Sequence, residues 1–513
     1  MYVQDLQSTF AHRTHQPPKV KLWGAYYSNL QTNKKVKIER LNRCQRLKYS
    51  IIRWINDIKF IWLTIVVISI VSAGLLASQF YERHRAAGMR TTVVSTQFPA
   101  WELKLPAVTL CHGTMARMEK LNLFLDARDT ILPRGLSRLD LEEALSHLRE
   151  TIEPTNRFPV RVNLIHKLIN ANSMTVHQFL EKVGPNCTEY LIMCKRGDRE
   201  EPCETLMLPS LTPYGLCCSF NYHLASSNDP LETKRGKDDE IIYHSVTYGS
   251  RFALSFLINP FLEDRISSTF YGDGIKVLIH ESRTYPGSAA WEFIAPTGHE
   301  TIANILGNRL VSSNEVLNLG ENVRSCINTA NLVQPYRANN CYATCRDEAI
   351  KKACRCLPFF SYSSDLGKIR QCDFTKTACL ARNFMSSNSL KLEDPECGCS
   401  PECEQTTYSV ATTTIPLNAA QFAVAPIYNE TKRFPQATAL HITLSSQVMT
   451  LQRRDVVQSW INLLSSLGGV FSLFLGCSFI SLIEIIYFFC ICLPSKLTMR
   501  FFKKCDPVSN SNG

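Results

Sequence analysis

Two long apolar segments lie near the two ends of the chain. The first, residues 60–80, has no charge in 21 positions, and about 20 apolar residues are enough for a helix to cross a bilayer. The second apolar run, from about residue 460 to residue 493 within the predicted span 455–493, is longer than one crossing needs. Small residues at 468–469 and 476–478 predict interruptions of its helix, and one acid, Glu484, lies inside it. Breaks and ionisable groups are costly in lipid unless they face protein or water, so the pattern predicts two membrane spans, the second lining a water-filled path.

Two other interpretations of the first apolar segment are weaker. A buried core helix of a soluble protein has a similar composition and is kept as an alternative. A cleaved signal peptide is disfavoured because 59 mostly polar residues precede the segment.

The charged residues predict the orientation of the two spans. Residues 1–59 hold 12 Lys and Arg against 3 Asp and Glu, and residues 493–513 hold 4 against 1, whereas residues 81–454 hold 40 against 39. Positive charge collects on the cytosolic side of membrane proteins. We therefore expect cytosolic segments at 1–59 and 494–513, with residues 81–454 outside the cell. The formal net charge of +11 belongs to the tails and does not indicate a nucleic-acid partner.

The cysteines indicate that the central region is in an oxidising compartment. Sixteen of the 21 cysteines lie between Cys111 and Cys403, an even number, as a fully paired framework requires. The chain has no Cys-x-x-Cys pair, whereas zinc sites typically combine such pairs with histidines. We therefore predict a disulfide-bonded extracellular domain without a metal site. The five other cysteines are Cys44, Cys477, Cys490, Cys492 and Cys505.

Two Asn-x-Thr triplets in the central region begin at Asn186 and Asn429. Such triplets accept N-linked glycans on extracellular chains, although they also arise by chance. Both asparagines are predicted as glycosylation sites.

Ten cysteines lie within the 78 residues of 326–403. Cys341 and Cys345 are four residues apart, which places both sulfurs on one side of a helix. Cys397 and Cys399 are two residues apart, which predicts that both lie on one face of a strand. A ladder of disulfides can join such a helix and strand, but the spacing alone leaves the connectivity open.

Four segments carry motifs that are typical of one family. From Tyr336 to Tyr408 the chain reads Tyr…Cys-x3-Cys…Cys-x-Cys-x-Pro…Cys…Cys…Cys-x-Cys-x3-Cys…Tyr. LPAVTLC at 105–111 is similar to Phe-Pro-Ala-Val-Thr-Ile-Cys, and YGLCCSFN at 214–221 is similar to Gly-x-Cys-x-x-Phe-Asn. With the second apolar segment, these motifs cover the chain in the order found in the epithelial sodium channel/degenerin family. The sequence resembles the insect pickpocket branch of that family most closely.

The resemblance implies a fold class and an assembly. It implies an α+β membrane protein in which two transmembrane helices, at 60–80 and 455–493, flank a large disulfide-rich extracellular domain. That domain has palm, thumb, finger and knuckle regions, and residues 326–403 correspond to the thumb. Three subunits form one channel in the plasma membrane, as a homotrimer or as a heterotrimer with related subunits.

The resemblance also implies how the cysteines pair. The implied pairs are Cys111–Cys217, Cys326–Cys403, Cys341–Cys399, Cys345–Cys397, Cys354–Cys379 and Cys356–Cys372. Two of Cys187, Cys194 and Cys203 are expected to pair with each other, which leaves one for Cys218.

For function, the resemblance implies a subunit of an amiloride-sensitive-type, sodium-selective cation channel that needs no cofactor. Gly476, Cys477 and Ser478 align with the Gly-Ala-Ser-type selectivity filter, where small residues bring backbone carbonyls close to the ion. Cys477 replaces the usual alanine or glycine, which leaves the exact preference between sodium and potassium open. Glu484, six residues further along, is expected either to form a ring of acids in the ion pathway or to hydrogen-bond within the helix bundle.

Gating positions follow from the same resemblance. Ser465 aligns with the degenerin position, where a small side chain lets the pore close, and Ser466 replaces an aspartate or asparagine at the outer pore mouth. Gln45 and Arg46 replace a His-Gly pair that supports opening. Because arginine lacks the backbone freedom of glycine, a modulatory role restricted to heteromeric channels is the alternative function.

Other functional classes fit the sequence less well. A membrane-anchored ectoenzyme is the alternative from a different class, but the chain has no Gly-x-Ser-x-Gly, His-Glu-x-x-His or P-loop pattern. An ATP-receptor type of channel lacks the thumb cysteine pattern and the Gly-x-Ser filter. The extracellular stimulus, whether chemical, proton, peptide or mechanical, cannot be read from residue spacing.

Overall fold

The two ends of the chain form one structural unit, and the residues between them form another. The units are Met1–Ala86 with Gln458–Gly513, and Ala87–Val457. This computed structural model describes residues 43–86, 88–151, 162–224, 248–249, 253–287, 290–329, 332, 336–361, 369–388, 397–422, 424–476, 478–492 and 494.

The first unit contains the two apolar segments. Helix α1 (Arg43–Arg85) begins well before the predicted span, so the helix includes part of the segment predicted as a cytosolic tail. Within it, Ile58–Arg85 is the one helical stretch, among the described residues, that is long and apolar enough to cross a membrane. Only 6% of its apolar window is buried, which argues against the alternative of a soluble core helix.

The second apolar segment is divided into two helices. Helix α13 (Trp460–Leu475) and helix α14 (Phe479–Tyr487) are followed by a π-helical turn, Phe488–Cys492. The prediction of an interruption at 468–469 was wrong, because α13 continues through both glycines. Glycine weakens a helix by about 1 kcal/mol, which is too little to break one in an otherwise apolar segment.

Within the described part of the chain, every strand and most of the helices belong to the unit Ala87–Val457. The strands are β1 (Met89–Pro99), β2 (Ala107–His112), β3 (Thr114–Arg117), β4 (Leu191–Arg196), β5 (Arg199–Glu201), β6 (Leu208–Thr212), β7 (Gly215–Phe220), β8 (Leu254–Ile258), β9 (Arg265–Ser268), β10 (Gly274–His280), β11 (Trp291–Pro296), β12 (His299–Ser312), β13 (Gln405–Pro416), β14 (Thr438–Leu444) and β15 (Val448–Val456). The helices are α2 (Met118–Asp126), α3 (Arg138–Ser146), α4 (Val162–Ala171), α5 (Val176–Val183), α6 (Cys187–Tyr190), α7 (Cys203–Leu206), α8 (Asn314–Leu317), α9 (Glu321–Arg324), α10 (Ala338–Cys354), α11 (Thr377–Asn388) and α12 (Pro426–Asn429).

Two sheets enclose the main hydrophobic core. The larger has the order β1-β15-β12-β14-β8-β4-β5, with β13 also paired to β12, and the smaller has the order β11-β10-β2-β7-β6. Strands β14 and β15 both run parallel to β12, and the other pairings are antiparallel. Phe256 and Leu440 from the larger sheet and Leu110 and Val277 from the smaller one are fully buried between them. Strand β14 is buried at every position, as expected for a central strand that is covered on both faces.

A second core is helical. Apolar side chains of α2 to α5 pack around Phe179 in this core, and Phe359, Phe360 and Phe374 pack against them. Helices α3 and α5 begin at capping boxes, because Ser137 and Thr175 each accept a hydrogen bond from the third backbone N–H of their helix. These caps explain from the local sequence where the two helices start.

The sixteen cysteines between residues 111 and 403 form eight disulfides. The six pairs implied by the resemblance are present, with Cys326–Cys403, Cys341–Cys399, Cys345–Cys397, Cys354–Cys379 and Cys356–Cys372 around helices α10 and α11 and Cys111–Cys217 between β2 and β7. The other four cysteines form Cys194–Cys203 and Cys187–Cys218. Each closed loop is expected to stabilise the fold by about 2–4 kcal/mol.

The partners of helix α10 do not lie on a strand. Cys341 and Cys345 share one side of this helix, as their spacing predicts. Cys397 and Cys399 belong to an irregular segment, so the prediction of a strand here was wrong. Gly398 between them has a φ of 60°, a left-handed conformation that glycine adopts without steric cost. The disulfides themselves hold this segment in place.

Candidate ion pathway

Helix α13 has one face that contacts the first apolar helix. It packs against α1, and Leu463 and Val470 are the buried residues of α13. They are seven residues apart, which places them on one side of the helix. This contact fixes which side of α13 remains available to other chains or to ions.

The opposite face of α13 carries small residues. Ser465 is rotated by about 200° from Leu463. Gly468, Gly469 and Ser472 follow Ser465 at three, four and seven residues, so the four lie on one broad face. All four are exposed in the single chain. A Cβ atom on either glycine would meet no atom within 4 Å, so packing inside this chain does not require their small size.

The helix break lies at the predicted filter. Gly476 ends α13 in a left-handed conformation, with a φ of 62°, and its N–H donates to the carbonyl of Ser472 at 3.0 Å. Ser478 caps α14, because its Oγ accepts the N–H of Ser481 at 3.3 Å. Cys477, between them, lies outside the described residues. A helix end leaves carbonyl groups without helical partners, and such carbonyls are suitable ligands for a dehydrated cation.

Replacing Gly476 by alanine should impair conduction. An L-residue in the left-handed conformation costs about 1–2 kcal/mol, so the break is expected to relax towards a continuous helix. We expect the current per surface-expressed channel to fall about tenfold or more. Whole-cell recording with surface biotinylation measures both quantities.

Gly74→Ala is the matched control for this substitution. Gly74 lies inside α1, and a Cβ there would meet no atom within 4 Å. Currents that fall equally in both variants would show that the conformation of Gly476 has no special role.

The other predicted pathway residues lie on the same helices. The Ser466 hydroxyl donates to the carbonyl of Asn462 at 2.7 Å, a bond within the helix. Glu484 is exposed on α14, and among the described residues it makes no ion pair. The backbones of Gln45 and Arg46 belong to α1, and their side chains lie outside the described residues. A helical backbone at these two positions needs no glycine.

One contact of this unit was not predicted. The His84 Nδ1 lies 3.1 Å from the carbonyl oxygen of Gln458, and its ring centroid lies 5.6 Å from that of Trp460. Because His84 is far from Gln458 and Trp460 in sequence, only its position beside the first apolar segment could have suggested the contact. It joins the C-terminal end of α1 to the start of α13.

The two predicted glycosylation sites differ in accessibility. Asn429 ends α12 and is exposed. Asn186 is half-buried, and its side-chain amide donates to Glu189 at 3.4 Å. Asn429 is therefore the more accessible acceptor.

Comparison with known proteins identifies relatives over most of the chain. Residues 40–488 match the protein family described as amiloride-sensitive sodium channel. The sodium channel protein Nach of Drosophila melanogaster is 27% identical, covering 87% of this chain and 85% of the relative. Pickpocket protein 11 of the same organism is 26% identical over 63% of this chain and 59% of its own length. The bile acid-sensitive ion channel of Mus musculus is 22% identical over 84% of this chain and 82% of its own length.

Proposed function

Because the chain belongs to the amiloride-sensitive sodium channel family and is similar to its insect pickpocket members, we propose that it is a subunit of a trimeric, sodium-selective cation channel. The family is one of ion channels and not of enzymes, so the ectoenzyme alternative is set aside. In this proposal the subunit lies in the plasma membrane and spans it twice, with α1 and with the segment from α13 to Cys492. Both termini are then cytosolic.

The observation that carries the proposal is the small-residue face of α13, which ends at the break beside Gly476. Since no described atom limits the size of a side chain at Gly468 or Gly469, the partners of this face are most simply the same residues of other subunits. Three such faces around one axis would line a pore with hydroxyl groups, glycines and the carbonyls of the break.

Selectivity in this proposal comes from the break itself. The helix end at Gly476 and the restart at Ser478 would place backbone carbonyls from three subunits around a partly dehydrated sodium ion. Cys477 would add a polarizable thiol next to this ring, and Glu484 of each subunit would raise the local cation concentration further along the path.

A modulatory role in heteromeric channels is the second candidate. It is favoured by Gln45 and Arg46 in place of the family's His-Gly pair, because these residues continue a helix where a glycine would permit a turn. A subunit of this kind would contribute one third of the pore but open only beside partners that retain the pair.

Whole-cell recording tests both candidates. Cells express the chain alone or with a related subunit, and external sodium is replaced by potassium. We expect an amiloride-sensitive inward current whose reversal potential becomes more negative in potassium. Current only on co-expression would select the modulatory role.

The matched variant is Cys477→Ala, which introduces the residue more usual in the family and should keep the sodium preference. If the chain reaches the surface and adds no current in any combination, or if its current does not distinguish the two cations, the proposal of a sodium-selective channel is wrong.

A further inference from the structure

A cleft of about 670 Å³ opens on the unit Ala87–Val457. Its walls come from the residues just before β2, the end of β10, the start of β11, the last residues of β12, the start of β13 and the beginning of α10. Its volume lies within the range of about 300–1,000 Å³ that is typical of small-molecule sites. The proposed ion pathway does not use this cleft.

One wall of the cleft carries a neutralised ion pair. The Arg337 guanidinium donates to both carboxylate oxygens of Glu281, at 2.9 and 3.0 Å. Glu281 also accepts the hydroxyl of Thr284 and the N–H of Arg283, both at 3.1 Å. Because Glu281 is engaged by three residues, this pair is a rigid part of the wall with no charge left for a ligand.

A second carboxylate is buried beside it. Glu402 is 7% exposed, and its Oε1 accepts the N–H of Ala338, the first residue of α10, at 2.9 Å. The Tyr336 hydroxyl donates to the carbonyl of Ser400 at 2.7 Å, which holds the same segment against the helix. Glu402 therefore presents a fixed negative charge at the inner side of the cleft.

The rim has charges of both signs that are not closely paired. Lys104 and Glu404 are exposed and, among the described residues, take part in no ion pair. Arg309 lies 3.9 Å from Glu102, at the outer limit of an ion pair, and both side chains are more than one-third exposed. Such exposed pairs contribute little, so all four groups are available to a ligand.

Two tryptophans add apolar surface to the same cleft. Trp101 is 66% exposed and Trp291 is 51% exposed. An indole that is more than half exposed is unusual in a folded domain, and indoles at a cleft are typical partners for rings and for cations. The cleft thus combines an apolar surface, fixed negative charge and free positive charge.

We propose that this cleft binds a small zwitterion with an apolar ring, of the class of aromatic amino acids. The ammonium group is held by Glu402 and Glu404, the carboxylate by Lys104 and Arg309, and the ring packs on the indoles. A ligand with one charge would leave the opposite charges of the cleft without partners, so both charged groups are needed for tight binding. The proposal is independent of conduction, because binding is measured directly.

The test is calorimetric titration of the full chain, purified in detergent micelles, with phenylalanine, phenethylamine and 3-phenylpropionate. The three probes have the same ring and differ only in their charged groups. We expect phenylalanine to bind at least about tenfold more tightly than either of the others. Absence of phenylalanine binding, or equal or tighter binding of the amine or the acid alone, overturns the proposal.

Two charge-removing variants locate the site. Lys104→Met should weaken the binding of phenylalanine about tenfold and leave the affinity for phenethylamine unchanged. Glu404→Gln should weaken the binding of both. Both side chains are exposed, so neither variant is expected to unfold the chain. Lys376→Met and Glu263→Gln, which remove exposed charges outside the cleft, are the matched controls and should leave all three affinities unchanged. Equal effects of the site variants and the controls would overturn the assignment to this cleft.

Discussion

Replacing Ser465 by phenylalanine is expected to produce a standing sodium current in cells that express the proposed channel. Ser465 is on the face of α13 opposite the contact with α1, where three subunits would approach one another when the pore closes. A phenyl ring forced into that contact costs about 1–3 kcal/mol. A penalty of this size on the closed state alone raises the ratio of open to closed channels about 5–150-fold.

Two further variants separate a gate from a general disturbance of the helix. Ser465→Ala keeps the side chain small and should behave as the native chain does. Leu473→Phe places a ring on a side chain that is 80% exposed in the single chain and lies about 80° around the helix from Ser465, and it should leave the current at its native level. A Ser465→Phe protein that reaches the surface and shows no standing current, alone or with a related subunit, would remove Ser465 from the gate.

Acidification from pH 6.5 to about 4 is expected to destabilise the unit Ala87–Val457 through two buried histidines. Burial lowers the pKa of His112 to about 4, with a smaller effect in the same direction from the Arg117 and Arg265 charges. Burial lowers the pKa of His280 to about 4 as well. The His112 Nδ1 accepts the N–H of Thr114 at 2.9 Å, a bond that a protonated ring cannot make.

The direction of this pH effect follows from proton linkage. The unfolded chain binds a proton at each histidine below about pH 6.5, whereas the folded chain stays neutral there until about pH 4. The contribution of each histidine to the free energy of unfolding is therefore fully present above pH 6.5. It decreases by about 1.4 kcal/mol for each unit by which the pH falls. The loss reaches roughly 3 kcal/mol for each histidine at pH 4 and levels off below that pH, where the folded chain is protonated as well.

Thermal unfolding of the full chain in detergent at several pH values measures this effect. His112→Gln and His280→Gln should each lower the stability at neutral pH and reduce the slope between pH 6.5 and 4 by about 1.4 kcal/mol per pH unit. His299→Gln, at a half-buried histidine that begins β12, is the control and should leave the slope unchanged. Slopes that are equal in the native protein and both variants would contradict the assignment to His112 and His280.

The sequence by itself predicted the features that depend on local composition. The absence of charge in residues 60–80 is enough to predict a membrane-spanning helix, because the bilayer requires only length and apolarity. The spacing of Cys341 and Cys345 predicted a shared helix face, since helical geometry relates neighbours four residues apart. The Gly-x-Ser group at 476–478 likewise lies at a real break between two helices.

The tertiary structure decided the features that depend on distant residues. It showed that the helix continues through residues 468–469, where local glycine content had predicted a break, because packing against α1 and helical hydrogen bonds outweigh a small propensity cost. It placed Cys397 and Cys399 on an irregular segment held by disulfides to α10 instead of on a strand.

The burial of the histidines and the charged cleft also depend on residues that are distant in sequence. Trp101, Glu281 and Glu402 are separated by more than one hundred residues along the chain, and no local pattern relates them. They line one cleft because the two sheets and helix α10 bring their segments together. Local periodicity therefore determines helices and spans, whereas the burial and charge of a site arise only from contacts between segments that are far apart in sequence.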